Sequence, residues 1–123
     1  MQNDNAKFKK EFKDRLYQFV LRLIRFVGAL PKNDIVRVII PQVLRSGTSI
    51  LANYIEARAA SSKKEFTVFF QYSLKSANET EVWLMLLLDT KNGNPEELDY
   101  LLRELKEIAN MFASAILRLK GKK

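Results

Sequence analysis

Two residue types on which many enzymes and metal sites depend are missing from this chain. Its 123 residues include no cysteine and no histidine. The first absence excludes disulfides and thiolate chemistry, and the second removes the commonest general base and the commonest metal ligand. Serine–histidine and cysteine–histidine hydrolases and zinc or haem sites are thereby excluded. We expect a protein that is not an enzyme and holds no cofactor or metal.

Glycine and proline are also scarce, with only 4 and 3 residues. Few turns are therefore available, which favours a small number of long helices over many short strands. The chain is 47% hydrophobic and 28% charged, the composition of a folded protein, and its length suits a single hydrophobic core. We expect one domain over residues 1–123.

The spacing of hydrophobic residues predicts four helices, at about residues 5–28, 34–60, 63–89 and 95–119. Asp34 is the expected N-cap of the second helix, and Ser62 and Asn94 begin two apparent capping boxes completed by Glu65 and Glu97. Pro41 is expected to kink the second helix without ending it. Long helices with short connections predict an all-α fold, an antiparallel up-down-up-down four-helix bundle.

The segment Arg45–Ala57, RSGTSILANYIEA, begins like a phosphate-binding turn. A phosphate loop requires a preceding strand and a glycine–lysine pair that opens the helix, and this sequence has neither. We interpret the segment as continuous helix, in which the missing side chain of Gly47 lets a neighbouring helix approach closely.

Two stretches carry more apolar surface than a monomeric bundle requires. Residues 82–88, VWLMLLL, are apolar on every side of the third helix, and the second helix has a second apolar row, Ile40, Leu44, Leu51 and Ile55. Four helices cannot bury the outside of their own bundle, so a second subunit is expected there. The alternative is a set of tolerated exposed apolar residues. The candidate oligomer-interface residues are Tyr54, Trp83, Met85 and Leu86.

The central part of the chain resembles the bacterial four-helix bundle protein family, first met as products of intervening sequences in large-subunit ribosomal RNA genes. The resemblance rests on residues 30–32, LPK; 42–50, QVLRSGTSI; 52–57, ANYIEA; 62–66, SKKEF; and 77–84, ANETEVWL. It implies a four-helix bundle. One relative is the accessory variability determinant of diversity-generating retroelements, which implies a homopentamer with a basic surface that binds a reverse transcriptase and nucleic acid.

The formal net charge of +7 points to an acidic partner, most plausibly nucleic acid. Arginine rows can pair with phosphates of a nucleic-acid backbone. The alternative for the first helix is a solvated face, with Glu11 pairing to its neighbours at a spacing of four residues. The candidate nucleic-acid-binding residues, which include a flexible C-terminal arm, are Lys7, Arg15, Arg22, Arg25, Arg118, Lys120, Lys122 and Lys123.

Helices two and three are expected to be antiparallel, which places Arg45 level with Glu79. We predict an interhelical Arg45–Glu79 ion pair at the polar edge of this contact, with Glu56 on the same stripe and Glu81 as a competing partner. The alternative is a catalytic or metal-binding cluster of Glu56, Glu79 and Glu81, but di-metal sites in bundle cores also use histidine.

The aromatic residues Trp83, Tyr54 and Tyr72 could stack on nucleic-acid bases. Since Trp83 lies in the apolar run, core or subunit interface is the favoured interpretation. Two functions stay open: a non-enzymatic oligomeric scaffold that binds nucleic acid, and a protein-interaction adaptor, for example an accessory subunit of a reverse transcriptase.

The polar, charged start of the sequence does not resemble a secretory signal. The longest unbroken apolar run, residues 82–88, is far shorter than the roughly 20 residues that a membrane span needs. We therefore expect a cytoplasmic protein with no membrane association.

Overall fold

The computed structural model describes residues 2–121, and the side chains of residues 6–121. It contains four helices: α1 Gln2–Gly28, α2 Asp34–Arg58, α3 Lys63–Asp89 and α4 Pro95–Leu119. Each helix packs on its neighbours in the chain, and α1 also packs on α4, which closes the ring. No strand is present among residues 2–121. The all-α four-helix bundle expected from the sequence is confirmed.

The starts of α2, α3 and α4 are fixed by side-chain caps, and two details differ from the sequence prediction. The N-cap of α2 is Asn33 rather than Asp34, because Asn33 Oδ1 accepts a hydrogen bond from the Val36 amide at 2.9 Å. Asn94 caps α4 by accepting from the Glu97 amide at 2.9 Å. The carboxylate of Glu97, however, does not return to the cap, since it pairs with Arg22 of α1 instead.

The turn between α2 and α3 contains the capping interaction that the sequence predicts, with one shift. Ser62 Oγ accepts from the Glu65 amide at 3.0 Å. Glu65 in turn accepts from the Ser61 amide at 2.8 Å, one residue before the N-cap. α2 ends at Arg58, two residues earlier than predicted, and the Ala59 and Ala60 amides bond to carbonyls of its last turn.

All four helices contribute to one hydrophobic core. At one end it is aromatic: Tyr54 and Phe112 lie against Phe12 and Phe70, with ring centroids 5.1–6.2 Å apart. Such edge-on and tilted pairs add to the free energy gained by burying the rings. Further along, the core is formed mainly by fully buried aliphatic side chains, among them Leu16, Leu23, Val43, Ile50, Leu84, Leu87, Leu98, Leu101, Leu105 and Ile108.

The contact between α2 and α3 is built from small residues and is called the α2–α3 seam, defined by Ser46, Ser73, Ala77 and Thr80. All four are at most 3% exposed. Ser73 Oγ donates to the Ile50 carbonyl across the seam at 3.0 Å. The hydroxyls of Thr80 and Ser46 lie 2.8 Å apart. Small side chains let the two backbones approach, and the hydroxyls keep the buried polar atoms satisfied.

Gly47 allows a close approach on the other side of α2. A Cβ atom at this position would collide with the Cδ2 atom of Leu23 in α1. Since Leu23 is fully buried, it has little room to move aside. The close packing expected at Gly47 is therefore made against α1.

By length and composition alone, α2 could span a membrane, because an 18-residue window has a mean hydropathy of 1.3. In the bundle, α2 packs on both α1 and α3. Its buried residues recur every three or four positions and face these neighbours. Because only 33% of that window is buried, packing on α1 and α3 accounts for part of this apolar composition. The helix also continues through Pro41, which is exposed.

Candidate nucleic-acid interface

Two of the three arginines proposed as a nucleic-acid-binding row on α1 are paired with carboxylates of α4. Arg15 donates to both carboxylate oxygens of Glu104, at 2.7 and 2.8 Å, and to Glu107 at 2.5 Å. Arg22 donates to both oxygens of Glu97, at 2.7 and 2.9 Å. These bidentate pairs form the α1–α4 seam. Arg15 therefore does not pair with Glu11, which was the alternative that the sequence left open.

The electrostatics of these pairs stabilise the charged forms. The hydrogen bond from Arg15 lowers the pKa of the Glu104 carboxyl, against the opposing effect of burial. In the same way, the hydrogen bond from Arg22 lowers the pKa of Glu97. The Arg15 pKa is raised, chiefly by its hydrogen bond to Glu104. The guanidinium carbon of Arg22 also lies over the Tyr100 ring, 3.5 Å from its centroid.

The remaining candidates divide between the two ends of the bundle. Arg25 is exposed and lies near the α3–α4 turn, where it lines a shallow hollow with Phe26 and Tyr100. Lys7, Arg118 and Lys120 are exposed at the opposite end. Lys122 and Lys123 lie outside the described residues.

That opposite end collects basic residues from all four helices. It is formed by the start of α1, the end of α2, the start of α3 and the end of α4, because neighbouring helices run in opposite directions. We call it the basic end, defined by Lys7, Lys9, Lys10, Arg58, Lys63, Lys64, Arg118 and Lys120. Every one of these side chains is exposed, and none forms a salt bridge with another described residue. The carboxylates on the same turns are Glu11, Glu56 and Glu65.

A cavity of about 600 Å³ opens at the centre of the basic end, and we call it the end pocket. Its walls are mainly aromatic and apolar, and its rim is cationic. The rim cations are Lys9, Arg58, Lys63 and Arg118, and no carboxylate of the described residues lines the cavity. Its other lining residues are Phe8, Phe12, Tyr54, Phe66, Phe70, Asn110, Met111, Ser114, Ala115 and Leu119.

The predicted Arg45–Glu79 ion pair is not formed. Arg45 is exposed and donates to Gln42, one turn back on its own helix. The contact across the helices falls one position further along each helix, between Ser46 and Thr80. The predicted antiparallel register of α2 and α3 is therefore nearly correct. The predicted helix face is wrong, because buried hydroxyls rather than surface charges make the contact.

Glu56 is likewise exposed and has no salt bridge with a described residue. The described side chains, those of residues 6–121, include no group of three or more acidic side chains placed to hold a metal ion. The carboxylate cluster weighed from the sequence is therefore not assembled in the described chain.

Tyr54 is not an interface residue of this bundle. It is 2% exposed and packs between Phe12, Phe70 and Phe112. Burial raises the pKa of its phenol, which fits a core position. Both faces of α2 are apolar in sequence, so the hydrophobic pattern alone did not separate the inner row from the outer one.

The other candidate interface residues remain accessible. Met85 and Leu86 are each 41% exposed, and Val82 on the same helix is 54% exposed. Trp83 is half-buried against the core, and its Nε1 atom is buried without a hydrogen-bond partner among the described residues. Tyr72 is 49% exposed and lies outside the end pocket.

Sequence reasoning missed most of the residues that meet at the basic end. Lys9, Arg58 and Lys63 are far apart in the chain and belong to no single helical row. A signal was available, since each lies within about two turns of a helix terminus and antiparallel packing brings these termini together. The aromatic wall formed by Phe8 and Phe66 follows from the same topology.

Comparisons with known proteins agree with this architecture. The family model described as 23S rRNA-intervening sequence protein matches residues 9–114. A solved crystal structure of a protein of unknown function from the S23 ribosomal protein family of Bacteroides thetaiotaomicron is also similar. It is 33% identical with a TM-score of 0.76, over 85% of this chain and 97% of that one. No curated protein matched the chain. The helix layout, the similar fold of that neighbour and the match over most of the chain show that this protein belongs to the 23S rRNA-intervening sequence protein family.

Proposed function

We propose that this protein is a non-enzymatic homo-oligomeric scaffold of the cytoplasm that binds nucleic acid through its basic end. The observation that carries the proposal is the set of eight exposed basic side chains, contributed by all four helices, that form no salt bridge with a described residue. The arginines of the α1–α4 seam have a different role, because their charge is neutralised within the bundle.

The chemistry of the basic end suits a phosphate backbone. Lysine and arginine side chains that are free to move can follow phosphates, and their binding releases counterions. Contacts of this kind do not distinguish one base sequence from another. We therefore expect affinity that falls steeply with salt and depends little on sequence.

The experiment compares two charge-matched triple variants in a titration with labelled RNA at two salt concentrations. The first, Lys9→Gln/Lys63→Gln/Arg118→Gln, removes three cations from the basic end. The second, Lys32→Gln/Lys75→Gln/Lys106→Gln, removes three exposed lysines elsewhere. Removing one cation that pairs with a phosphate should reduce the salt slope by about one unit, so the first variant should bind far more weakly at low salt.

The second variant serves as the control, since its net charge falls by the same amount. Equal losses of affinity in both variants would mean that only the net charge matters and would overturn the basic end as the binding surface. Failure of the unmodified protein to bind RNA or DNA at low salt would overturn nucleic-acid binding altogether.

The homo-oligomer is supported by an exposed apolar face on the outside of α2 and α3. Val38 is 65% exposed, and the antiparallel register of the α2–α3 seam places it level with Leu86. Val82 and Met85 are also exposed on α3, and exposed apolar side chains of this kind are what a second subunit covers. A ring, with a pentamer favoured, would present several basic ends at once and gain avidity for one strand.

Solution mass measurement tests the assembly. We expect a species several times the monomer mass, and Leu86→Lys/Val82→Lys should convert it to a monomer that remains helical by circular dichroism. A monomer for the unmodified chain would contradict the oligomer.

A monomer with the same exposed apolar face would instead favour the second candidate function, a protein-interaction adaptor. Its partner, for example a polymerase, would then cover Val82, Met85 and Leu86. A pull-down that survives nuclease treatment in the unmodified protein, and is lost in Leu86→Lys/Val82→Lys, would support this candidate.

A further inference from the structure

We propose that the end pocket takes up one unpaired base of a single-stranded nucleic acid, while the phosphates on either side of that base lie on the cations of the rim. This inference rests on the proposed function and narrows it. It assigns the protein a preference for single strands over duplexes.

The pocket offers aromatic rings in reach of solvent. Phe8 is 54% exposed and Phe66 is half-buried, so both present ring surface to an entering ligand. They belong to α1 and α3, which are diagonal in the bundle, and both line the cavity. Bases stack on aromatic side chains whatever their identity, because every base has a π-face.

The floor below these rings is preformed. Phe12 and Phe70 are 6% exposed and are held by the buried Tyr54. Phe66 itself lies against Phe70, with ring centroids 4.5 Å apart. A rigid aromatic floor costs little to organise when a flat ligand enters.

The rim is arranged for more than one negative charge. Four cations line the cavity, with no carboxylate of the described residues beside them. Arg58 lies over Phe66, with its guanidinium carbon 5.0 Å from the ring centroid, a contact that orients the side chain without neutralising it. Successive phosphates of a strand can neutralise several of these cations, whereas the single carboxylate of a fatty acid can neutralise only one.

Two polar side chains in the wall complete the match to a base. Asn110 and Ser114 lie on adjacent turns of α4 and line the cavity. Neither side chain forms a hydrogen bond with another described residue, so their donors and acceptors are available to the polar edge of a base. A base in a duplex has this edge paired and its faces stacked, and it cannot enter.

The test uses a short single strand that carries one 2-aminopurine, together with the same sequence as a duplex. Entry into the pocket removes the 2-aminopurine from its stacked neighbouring bases and should therefore change its emission, and the single strand should bind more tightly than the duplex. Phe8→Leu/Phe66→Leu removes the rings but keeps the apolar character. It should weaken single-strand binding about tenfold or more and abolish the change in 2-aminopurine emission, while duplex binding stays unchanged.

Two further variants keep the result interpretable. Ala115→Trp fills the cavity from α4 and should have the same effect as removing the rings, by a different route. Tyr17→Leu is the matched control, since Tyr17 lies on α1, is 52% exposed and does not line the pocket. It should bind like the unmodified protein. Circular dichroism melting establishes that each variant is folded.

The possible failures can be told apart. Equal binding of single strand and duplex, unaffected by Ala115→Trp, would overturn the base pocket and leave the basic end intact as a backbone-binding surface. The absence of any nucleic-acid binding would overturn the proposed function as well. Binding of oleate that Ala115→Trp blocks, without a change in 2-aminopurine emission, would reassign the pocket to a small amphipathic anion and overturn the inference.

Discussion

The two seams on opposite sides of the bundle are held together by different means. In the α2–α3 seam, small side chains let the backbones approach closely, and the hydrogen bonds are fully buried. In the α1–α4 seam, the backbones come close at fewer positions, and long charged side chains bridge the gap near the surface. The arginines there are a third to two-fifths exposed.

The difference separates charged side chains that hold two helices together from charged side chains that form no pair within the bundle. Arginine and glutamate can bridge helices that stand apart, because their side chains are long and keep their charged groups partly hydrated. Seams of small residues need no such bridge. The cations of the α1–α4 seam are therefore neutralised by carboxylates, whereas those of the basic end form no salt bridge with a described residue.

The largest effect should come from enlarging a small residue of the α2–α3 seam. Ala77→Leu adds atoms where Ala77 is 1% exposed, and overpacking of this kind costs about 3 kcal/mol of the free energy of unfolding. Thermal melting should show a fall of roughly 10 °C. The matched control is Ala52→Leu on the exposed side of α2, which should change the melting temperature little. Similar falls in both variants would contradict a closely packed seam.

A smaller effect is expected from removing one buried hydroxyl of the same seam. Thr80→Val keeps the shape of the side chain but breaks the hydrogen bond with Ser46, which should cost about 1–2 kcal/mol. Thr48→Val is the control, because the exposed Thr48 hydroxyl bonds only to carbonyls of its own helix. Chemical denaturation measures both. A destabilisation no larger than that of the control would mean that the hydroxyl pair does not stabilise the fold.

In the α1–α4 seam, the effect should be smaller and dependent on pH. Because the folded pKa of Glu104 is lowered, its carboxylate stabilises the fold above the unfolded pKa of about 4.3, and this stabilisation is lost as pH falls through the folded value. Glu104→Gln should lose about 1 kcal/mol at neutral pH. The difference from the unmodified protein should shrink below about pH 4.

Glu81→Gln, at an exposed position with no ion pair to a described residue, is the control for that pH series. Its stability should follow that of the unmodified protein at every pH. A Glu104→Gln deficit that stays constant down to about pH 3, below the ordinary carboxyl pKa, would show that the carboxylate charge is not what stabilises the seam.

The smallest effect should be that of the seam arginines on nucleic-acid binding. Arg15→Gln/Arg22→Gln should leave the affinity for RNA within about twofold of the unmodified protein, because each removed cation is already neutralised by a carboxylate. A titration at low salt measures this beside the basic-end triple variant. An affinity as low as that of the triple variant would make the seam part of the binding surface.

Much of the fold was predictable from local sequence. The apolar spacing placed four helices, and Ser62 and Asn94 marked two of the helix starts through caps that operate within four residues. Two details of the caps were predicted wrongly. Asn33 and Asp34 are adjacent and both are favourable N-cap residues, so the residue types alone did not show which one caps α2. Glu97 does not bond to the cap because it pairs with Arg22, which is distant in sequence.

The candidate site was predictable only in part. The net charge and the basic residues of α1 and the C-terminal end predicted nucleic-acid binding. Two arginines of the predicted row on α1, however, are neutralised by carboxylates of α4. Tyr54 is an example of a residue whose position could not be predicted from the sequence. Its residue type and spacing suit either an interface or a core, and its contacts with three other rings show that it lies in the core.

The sequence by itself determined the helices, their order and the overall excess of positive charge, because these depend on local spacing, short connections and composition. Only the tertiary structure decided which charges are free. An ion pair between residues 89 positions apart, as in Arg15–Glu104, exists because two helices pack side by side. The end pocket arises likewise, since four helix termini that are far apart in the chain meet at one end of the bundle.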